Sequence, residues 1–236
     1  TNSGLSITEW ELFTGILPPL TQSSWQEYFN EYKKIPQYQL INSSMNISEF
    51  KIIFYWEYAH RILARLIGIF FLIPLIFFYF TKKIERRILF PNLLVGFLIL
   101  LQGLVGWYMV KSGLVNDVTV SHYRLSLHLL IAISIISIIF WQILIFKGKK
   151  IKNFFNLKKN SLPYLILIFL IFSQILFGAF VSGLDAGKIY QTWPYMGQNF
   201  FPNDYEIQKI FDLFNFDSHS LVQFYHRNMA YLITLY

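Results

Sequence analysis

Long apolar blocks alternate with polar segments along the chain. The blocks cover residues 52–80, 88–110, 121–146, 162–182 and 219 to the end. Each of the first four is near or above the ~20 residues that cross a bilayer as an α-helix. The pattern therefore predicts an all-α polytopic membrane protein, with about five transmembrane helices in this chain.

Two of the polar segments carry apolar residues at helical spacing. In the first, Ser23 and Ser24 are good N-cap residues and precede Trp25, Tyr28, Phe29 and Tyr32. In the second, Asp204 precedes Ile207, Ile210, Phe211 and Phe214. We expect two short helices here that lie on the outer membrane surface.

Composition and charge placement agree with a membrane protein. Of the 236 residues, 55% are hydrophobic and only 14% are charged, which is too apolar for a water-soluble domain. The net charge of +7 is confined largely to two connections between blocks, so we expect no nucleic-acid partner. The basic residues are Lys82, Lys83, Arg86 and Arg87 in the first connection, and Lys147, Lys149, Lys150, Lys152, Lys158 and Lys159 in the second. By the positive-inside rule, both connections face the cytoplasm.

Short motifs recur at the outer ends of the blocks. Ser-Gly-Leu occurs at residues 3–5, 112–114 and 182–184. The last two copies follow a glutamine and a glycine four residues apart, Gln102 with Gly106 and Gln174 with Gly178. His-Arg occurs at 60–61 and 226–227. The small residues Gly103, Gly106, Gly178 and Ala179 are expected to permit close helix approach.

These repeats have the same orientation, which is typical of halves related by an axis along the membrane normal. We therefore expect two pseudo-symmetric four-helix bundles, with about eight transmembrane helices in the full protein. The predicted division is an amino-terminal half at 1–146 with a long outer loop, a basic cytoplasmic linker at 147–160, and a carboxy-terminal half at 161–236. On this interpretation the chain is a fragment that lacks the first helix and the last one to two helices.

Ionisable residues inside apolar blocks are costly and therefore mark function. His60, His128 and His226 lie at comparable depths in three blocks that run in the same direction. Two imidazoles at one level on neighbouring helices favour bis-histidine heme ligation. A single buried histidine is as often a hydrogen-bonded packing residue, but three at matched depth favour heme. His122 and His219 fall at the water interface and are expected to be solvated.

Four arginines neighbour these histidines: Arg61, Arg65, Arg124 and Arg227. Guanidinium groups bind carboxylates bidentately, so we assign them to heme propionates, with interfacial snorkelling as the alternative. Glu57 stands four residues before Arg61 and three before His60. It is either an ion-pair partner of Arg61 or a proton donor or acceptor beside the porphyrin. With no Cys in the chain, thiolate ligation is excluded.

Several longer runs together carry a family resemblance. They are Ser3–Trp10, Thr14–Pro19, Trp56–Arg61 with Arg65 and Gly68, Gln102–Leu114, Tyr123 and Arg124 with His128 and Leu129, Ser182–Gly187 and Phe224–Arg227. In this order they resemble the heme A synthase family of cytochrome oxidase assembly proteins. The resemblance covers essentially the whole chain.

The resemblance implies two halves that each hold a heme between two histidines near the outer face. His60 and His128 match the amino-terminal pair, which takes heme O as substrate and gives heme A as product. His226 matches the first ligand of the carboxy-terminal pair, which holds heme b. Family members are oxidoreductases that oxidise a heme O methyl to the formyl group of heme A, and Glu57 matches the glutamate implicated in that step. Because two histidines fill both axial positions of the iron, either one ligand leaves or the iron accepts electrons and water supplies the oxygen.

The resemblance also implies surroundings and partners. The protein is expected in the bacterial inner membrane with its heme sites near the periplasmic face, or in the mitochondrial inner membrane of a eukaryote. Its expected partners are the lipid bilayer, heme O, the heme O synthase and an electron donor that the sequence does not identify. Whether copies associate as a homo-oligomer is left open.

Two other functions compete with this interpretation. A quinol-linked membrane cytochrome b would use the same histidines only to transfer electrons, and it leaves Glu57 and the Trp10–Pro19 segment unexplained. A membrane transporter with repeat symmetry would use the arginines for anions, and it does not require histidines at one level.

Overall fold

The computed structural model describes residues 4–8, 17–113, 118–146 and 161–236. Its α-helices are α1 (Gln22–Tyr32), α2 (Pro36–Leu40), α3 (Ile47–Phe80), α4 (Arg86–Gly113), α5 (His122–Phe146), α6 (Leu162–Gly183) and α7 (His219–Leu235). Two short 3-10 helices cover Ala186–Lys188 and Ile210–Phe214. Across these described ranges there is no strand beyond one isolated bridge, Met196 to Asn199. The all-α prediction is confirmed.

Helices α3 to α6 are long and apolar enough to cross a membrane. They correspond to the first four predicted blocks, so the chain is a multi-pass membrane protein. Helix α7 has 17 residues, slightly fewer than the ~20 that span a bilayer. Its role as a fifth span stays a prediction, as do the division at residues 146 and 161 and the pairing of two bundles. The linker 147–160 lies outside the described residues.

A capping box sets the start of α3. The Asn46 side chain accepts hydrogen bonds from the N–H groups of Ser48 and Glu49, at 2.9 and 3.0 Å. The Glu49 carboxylate accepts one in return from the N–H of Asn46, at 2.9 Å. This reciprocal arrangement satisfies N–H groups that a helix start leaves unpaired. It places Glu57 about three turns into α3.

The first compact unit lies within residues 1–121 and 135–142. Its core is aromatic: Trp25, Phe29 and Tyr32 of α1 pack against Phe50 and Phe54 of α3. The rings of Trp25 and Phe54 meet edge to face at 5.0 Å, a favoured aromatic geometry. The predicted helix and its apolar face are therefore confirmed, and α3 covers this face. The position of α1 on the outer membrane surface stays a prediction.

The cap of α1 differs from the prediction. Thr21 is the N-cap residue, and its side chain accepts from the N–H of Ser24 at 3.2 Å. Ser23 and Ser24 both lie inside the helix instead. The Thr21 hydroxyl also shares hydrogen bonds with the hydroxyls of Ser23 and Ser24, at 2.9 and 2.8 Å. A threonine hydroxyl is among the side chains that cap helix starts well.

The second compact unit lies within residues 122–134 and 143–236. Here α6 packs along α7, and the 3-10 helix Ala186–Lys188 packs against both. Gly183 at the end of α6 touches the first turn of α5: a Cβ built on it would lie 2.7 Å from Cβ of His122 and 2.9 Å from its Cα. Only a glycine permits so close an approach.

The second predicted surface helix is shorter than expected. It is the 3-10 helix Ile210–Phe214, and it begins after Lys209, whose N–H donates to the Asp212 carboxylate at 2.7 Å. Asp204 does not cap it. Ile210 and Phe211 are exposed.

Candidate functional site

Glu57 is buried at the amino-terminal side of α3, and donors surround its carboxylate. Oε2 accepts from the N–H and the hydroxyl of Ser6, at 2.8 and 2.6 Å, and from the N–H of Ile7 at 3.0 Å. Oε1 accepts from the Arg61 guanidinium at 2.5 Å. Hydrogen bonds to a charged acceptor are the strong class, so this network stabilises the carboxylate and holds it in one orientation.

Arg61 joins the same network from the next turn of α3. Its Nη2 donates to Glu57 and also to the carbonyl oxygen of Ile7, at 3.1 Å. The side chain is only 10% exposed. The ion pair predicted from the four-residue spacing is confirmed. The propionate role of Arg61 stays a prediction.

The remaining predicted residues of α3 and α5 differ in burial. His60 is exposed although Glu57, three residues earlier, is buried, while Arg65 is half-buried. On α5, Arg124 and His128 are both half-buried. Because His60 and His128 belong to different compact units, their pairing around one heme stays a prediction.

His122 is buried rather than solvated, so that expectation is wrong. The ring packs edge to face against Phe180, with centroids 5.2 Å apart. Its Nε2 lies 3.5 Å from Oδ1 of Asp217. The close approach at Gly183 is what buries it. His219 is exposed, as expected.

His226 on α7 lies against α6. A Cβ built on Gly178 would be 3.2 Å from Cε1 of His226, so glycine makes room for the ring. Nε2 of His226 lies 3.5 Å from the amide nitrogen of Gln174. Nδ1 is buried and has no hydrogen-bond partner among the described residues. A buried imidazole with an unpartnered nitrogen fits a residue that ligates a metal.

Of the small residues predicted to allow close approach, Gly178 and Ala179 behave as expected. Gly178 meets His226, and Ala179 is buried. Gly103 differs, since a Cβ there would meet nothing within 4 Å among the described residues.

Arg227 is engaged by the loop that follows α6. Its Nη1 donates to the carbonyl oxygen of Thr192 at 2.7 Å, and its Nη2 donates to that of Tyr190 at 2.5 Å. Carbonyl oxygens therefore occupy donors that we assigned to a heme propionate. The propionate role of Arg227 stays a prediction.

Two further residues of α7 hold the same loop. The Gln223 amide accepts from the N–H of Tyr190 at 3.2 Å and donates to its carbonyl oxygen at 3.0 Å. The Ser220 hydroxyl donates to Asp204, which also accepts from the Tyr190 hydroxyl. Ser220, Gln223 and Arg227 follow the i, i+3, i+7 spacing of one helix face, and we call them the α7 latch.

Comparison with known proteins identifies the family. A family model described as cytochrome oxidase assembly protein (COX15-CtaA) matches residues 1–236. The chain belongs to this family. A heme A synthase of Pelagibacter ubique is 51% identical over 241 residues, covering 100% of this chain and 69% of the relative. Heme A synthases of Parvibaculum lavamentivorans and Rickettsia felis are 46% and 43% identical, each over 100% of this chain and over 68% and 70% of the relatives. No solved structure gives a significant match.

Membership of the cytochrome oxidase assembly protein family confirms the resemblance drawn from the motifs. The sequence interpretation had nevertheless missed Ser6, although it lies in the amino-terminal motif that carried the resemblance. It also missed the α7 latch. The signal for the latch was present, since Ser220, Gln223 and Arg227 are polar residues at i, i+3 and i+7 on one face of α7.

Proposed function

We propose that this protein is a heme A synthase, an oxidoreductase that oxidises a methyl group of heme O to the formyl group of heme A. The observation that carries the proposal is the match over the whole chain to proteins with that name, at 51% identity for the relative from Pelagibacter ubique. Glu57 adds a buried carboxylate three residues before His60, a proposed ligand.

The amino-terminal half is the proposed substrate site. There His60 and His128 hold heme O, and Arg61, Arg65 and Arg124 face its propionates. Each oxidation step at the methyl carbon requires protons to leave or enter the site, whichever source supplies the oxygen. Glu57 lies three residues before His60, and we assign its carboxylate as the donor or acceptor of such a proton. Ser6, Ile7 and Arg61 fix its position through four hydrogen bonds.

The carboxy-terminal half is the proposed heme b site, with His226 as one ligand and Arg227 beside it. Heme b supplies one-electron transfer when bound. Gly178 leaves room for the imidazole, and the buried, unpartnered Nδ1 supports a ligand role. The second ligand of this heme is not among residues 161–236 in our assignment.

We place the protein in the bacterial inner membrane with both sites near the periplasmic face. Four basic residues between the end of α3 and the first turn of α4 support this orientation, because Glu57 lies near the other end of α3. They are Lys82, Lys83, Arg86 and Arg87. Its partners are then a heme O synthase, which supplies the substrate, and an electron donor.

Heme analysis tests the activity. The full-length protein is produced with and without a heme O synthase, and extracted hemes are separated by chromatography. We expect heme A only when the heme O synthase is present. Bound heme b without any heme A would reject the synthase in favour of an electron-transferring cytochrome b, and a preparation that binds no heme would favour a transporter.

Glu57→Gln tests the role of the carboxylate. Glutamine keeps the shape and two acceptor lone pairs for Ser6 but cannot accept a proton as a carboxylate does. We expect retained heme and no conversion. Glu49→Gln is the matched control, because Glu49 is an exposed glutamate that caps α3. Normal conversion by Glu57→Gln would refute the assignment.

A further inference from the structure

Gln174 and Gly178 form one surface on α6 that faces a single side chain. They are four residues apart, so they lie on the same helix face one turn from each other. The imidazole of His226 on α7 contacts both. The two α6 residues belong to the Gln-x-Leu-x-Gly motif of residues 174–178, to which the proposed function has given no task beyond space for the ring.

Gly178 sets how closely the imidazole approaches α6. A Cβ at this position would lie 3.2 Å from Cε1 and 3.6 Å from Nδ1 of His226. The first distance is shorter than ordinary van der Waals contact between carbon atoms. Any larger residue would push the ring away from α6 and out of reach of Gln174.

Gln174 supplies a polar partner at the same place. Its amide nitrogen is 3.5 Å from Nε2 of His226, and its Oε1 is buried with no partner among the described residues. Nδ1 of His226 is also buried and has no partner among the described residues. Two buried polar groups left unsatisfied side by side cost free energy. Because the oxygen and nitrogen of an amide are interchanged by rotation, Oε1 turned toward an N–H at Nε2 satisfies the glutamine oxygen and leaves Nδ1 as the ring nitrogen without a partner.

We propose that Gln174 is a positioning residue that accepts a hydrogen bond from one ring nitrogen of His226 and leaves the other to ligate heme. This inference rests on the proposed function, which makes His226 a ligand. A hydrogen bond of this kind selects the tautomer, fixes the ring and makes the ligating nitrogen a stronger donor. Gln174 and Gly178 together are a seat for the imidazole.

The same motif occurs in α4, at residues 102–106. Gln102 also has a buried Oε1 with no partner in the described part of the chain. A second glutamine in the same motif and in the same unsatisfied condition supports a shared task for the motif.

Substitution of Gln174 in the full-length protein tests the proposal. The protein is produced without a heme O synthase, and we measure the rate of heme b loss to an excess of an apo-globin and the midpoint potential of bound heme. In Gln174→Leu we expect heme loss to be about 10-fold faster or more. We also expect a higher midpoint potential, because a weaker imidazole donor stabilises ferric iron less.

Gln174→Glu provides the opposite change. A carboxylate accepts more strongly than an amide, so the midpoint potential is expected to fall below that of the wild type. A residue with a merely structural role would not shift the potential in opposite directions. Gln142→Leu is the matched control: Gln142 is another buried glutamine of a spanning helix, hydrogen-bonded to Asn92 at 2.8 Å, and its loss should leave the potential unchanged.

Each outcome decides the question. Equal midpoint potentials and equal rates of heme b loss in wild type and Gln174→Leu would overturn the positioning role of Gln174. If Gln174→Leu does not accumulate, Gln174→Glu carries the test, and an unchanged potential overturns the proposal. His226→Ala distinguishes failure of the proposed function from failure of this inference. If His226→Ala retains all heme b, His226 is not a ligand. If His226→Ala loses heme b while Gln174→Leu behaves like the wild type, only the positioning role of Gln174 is rejected.

Discussion

Ser6 and Glu57, 51 positions apart, are joined by two hydrogen bonds to one carboxylate oxygen. The backbone N–H and the hydroxyl of Ser6 both donate to Oε2, so this short segment and α3 are tied at a single atom. The residue assigned to proton transfer is thus also an anchor for the amino-terminal segment. Substitutions at the two positions should therefore affect both stability and conversion.

Ser6→Ala removes one donor to the buried carboxylate. A hydrogen bond to a charged group contributes about 1.5–3 kcal/mol, so we expect a lower Tm and reduced heme A formation. Thermal unfolding in detergent and heme chromatography measure the two effects. Ser48→Ala is the control, because Ser48 is an exposed serine at the start of α3. Equal behaviour of the two variants would show that the Ser6 hydroxyl contributes nothing.

Gly183→Ala should destabilise the packing of α5 on α6. The added methyl group would meet the backbone of His122 at 2.9 Å, so a helix must shift. Overpacking of this kind costs about 1–3 kcal/mol. Gly68→Ala is the matched change in a helix where a Cβ meets nothing within 4 Å of the described atoms, and it should be neutral or stabilising. A thermal unfolding series compares them, and a Tm for Gly183→Ala at or above that of Gly68→Ala would contradict the contact.

Arg227→Ala should loosen the loop after α6. Its guanidinium donates to three loop carbonyl oxygens, those of Tyr190, Thr192 and Tyr195, so faster hydrogen exchange is expected at residues 187–195. Lys188→Ala removes a charge from the same loop at an exposed position and should leave exchange unchanged. The comparison is best repeated in His226→Ala, where a propionate contact would no longer contribute. Unaltered exchange in both backgrounds would contradict the role of Arg227 in holding this loop.

Acid should release the contact between Asp204 and the α7 latch. Although partial burial acts to raise it, hydrogen bonds from Ser220 and Tyr190 lower the pKa of Asp204 below its ordinary value. A group whose pKa is depressed on folding contributes stability above its unfolded pKa and loses it as pH falls through the folded pKa. Hydrogen exchange at residues 190–205 should therefore rise only below the ordinary range of an aspartate.

Asp204→Asn is the control for this titration. An amide can still accept hydrogen bonds but does not ionise, so exchange in this variant should show no acid step and should be faster than wild type at neutral pH. A step of unchanged size in Asp204→Asn would mean that another group titrates.

The membrane-spanning helices were predictable because length and apolarity are properties of a continuous stretch. Helices α3 to α6 differ from the predicted blocks by only a few residues at their ends. The apolar face of α1 was predictable for the same reason, since its spacing is local. The Glu57 to Arg61 ion pair also follows from local spacing, at four residues.

Contacts between residues far apart in the sequence were not predictable. Nothing in the neighbourhood of Glu57 indicates that Ser6 supplies its donors. His122 was expected in water because it begins a helix, but Gly183 lets α6 approach and bury it. Arg227 was assigned to a heme propionate from its charge, whereas its partners are neutral carbonyl oxygens. Because every residue type has a backbone carbonyl, the sequence does not indicate which ones Arg227 contacts.

The hydrogen bonds of Glu57 also impose an order on biogenesis. Ser6 and Ile7 are synthesised before Glu57, so their N–H groups have no carboxylate to meet until α3 has been translated and inserted. Until then neither Ser6 nor Ile7 has this partner. Docking of residues 6 and 7 on Glu57 therefore follows translation and insertion of α3, and protection of this segment from proteolysis can be used to time that step.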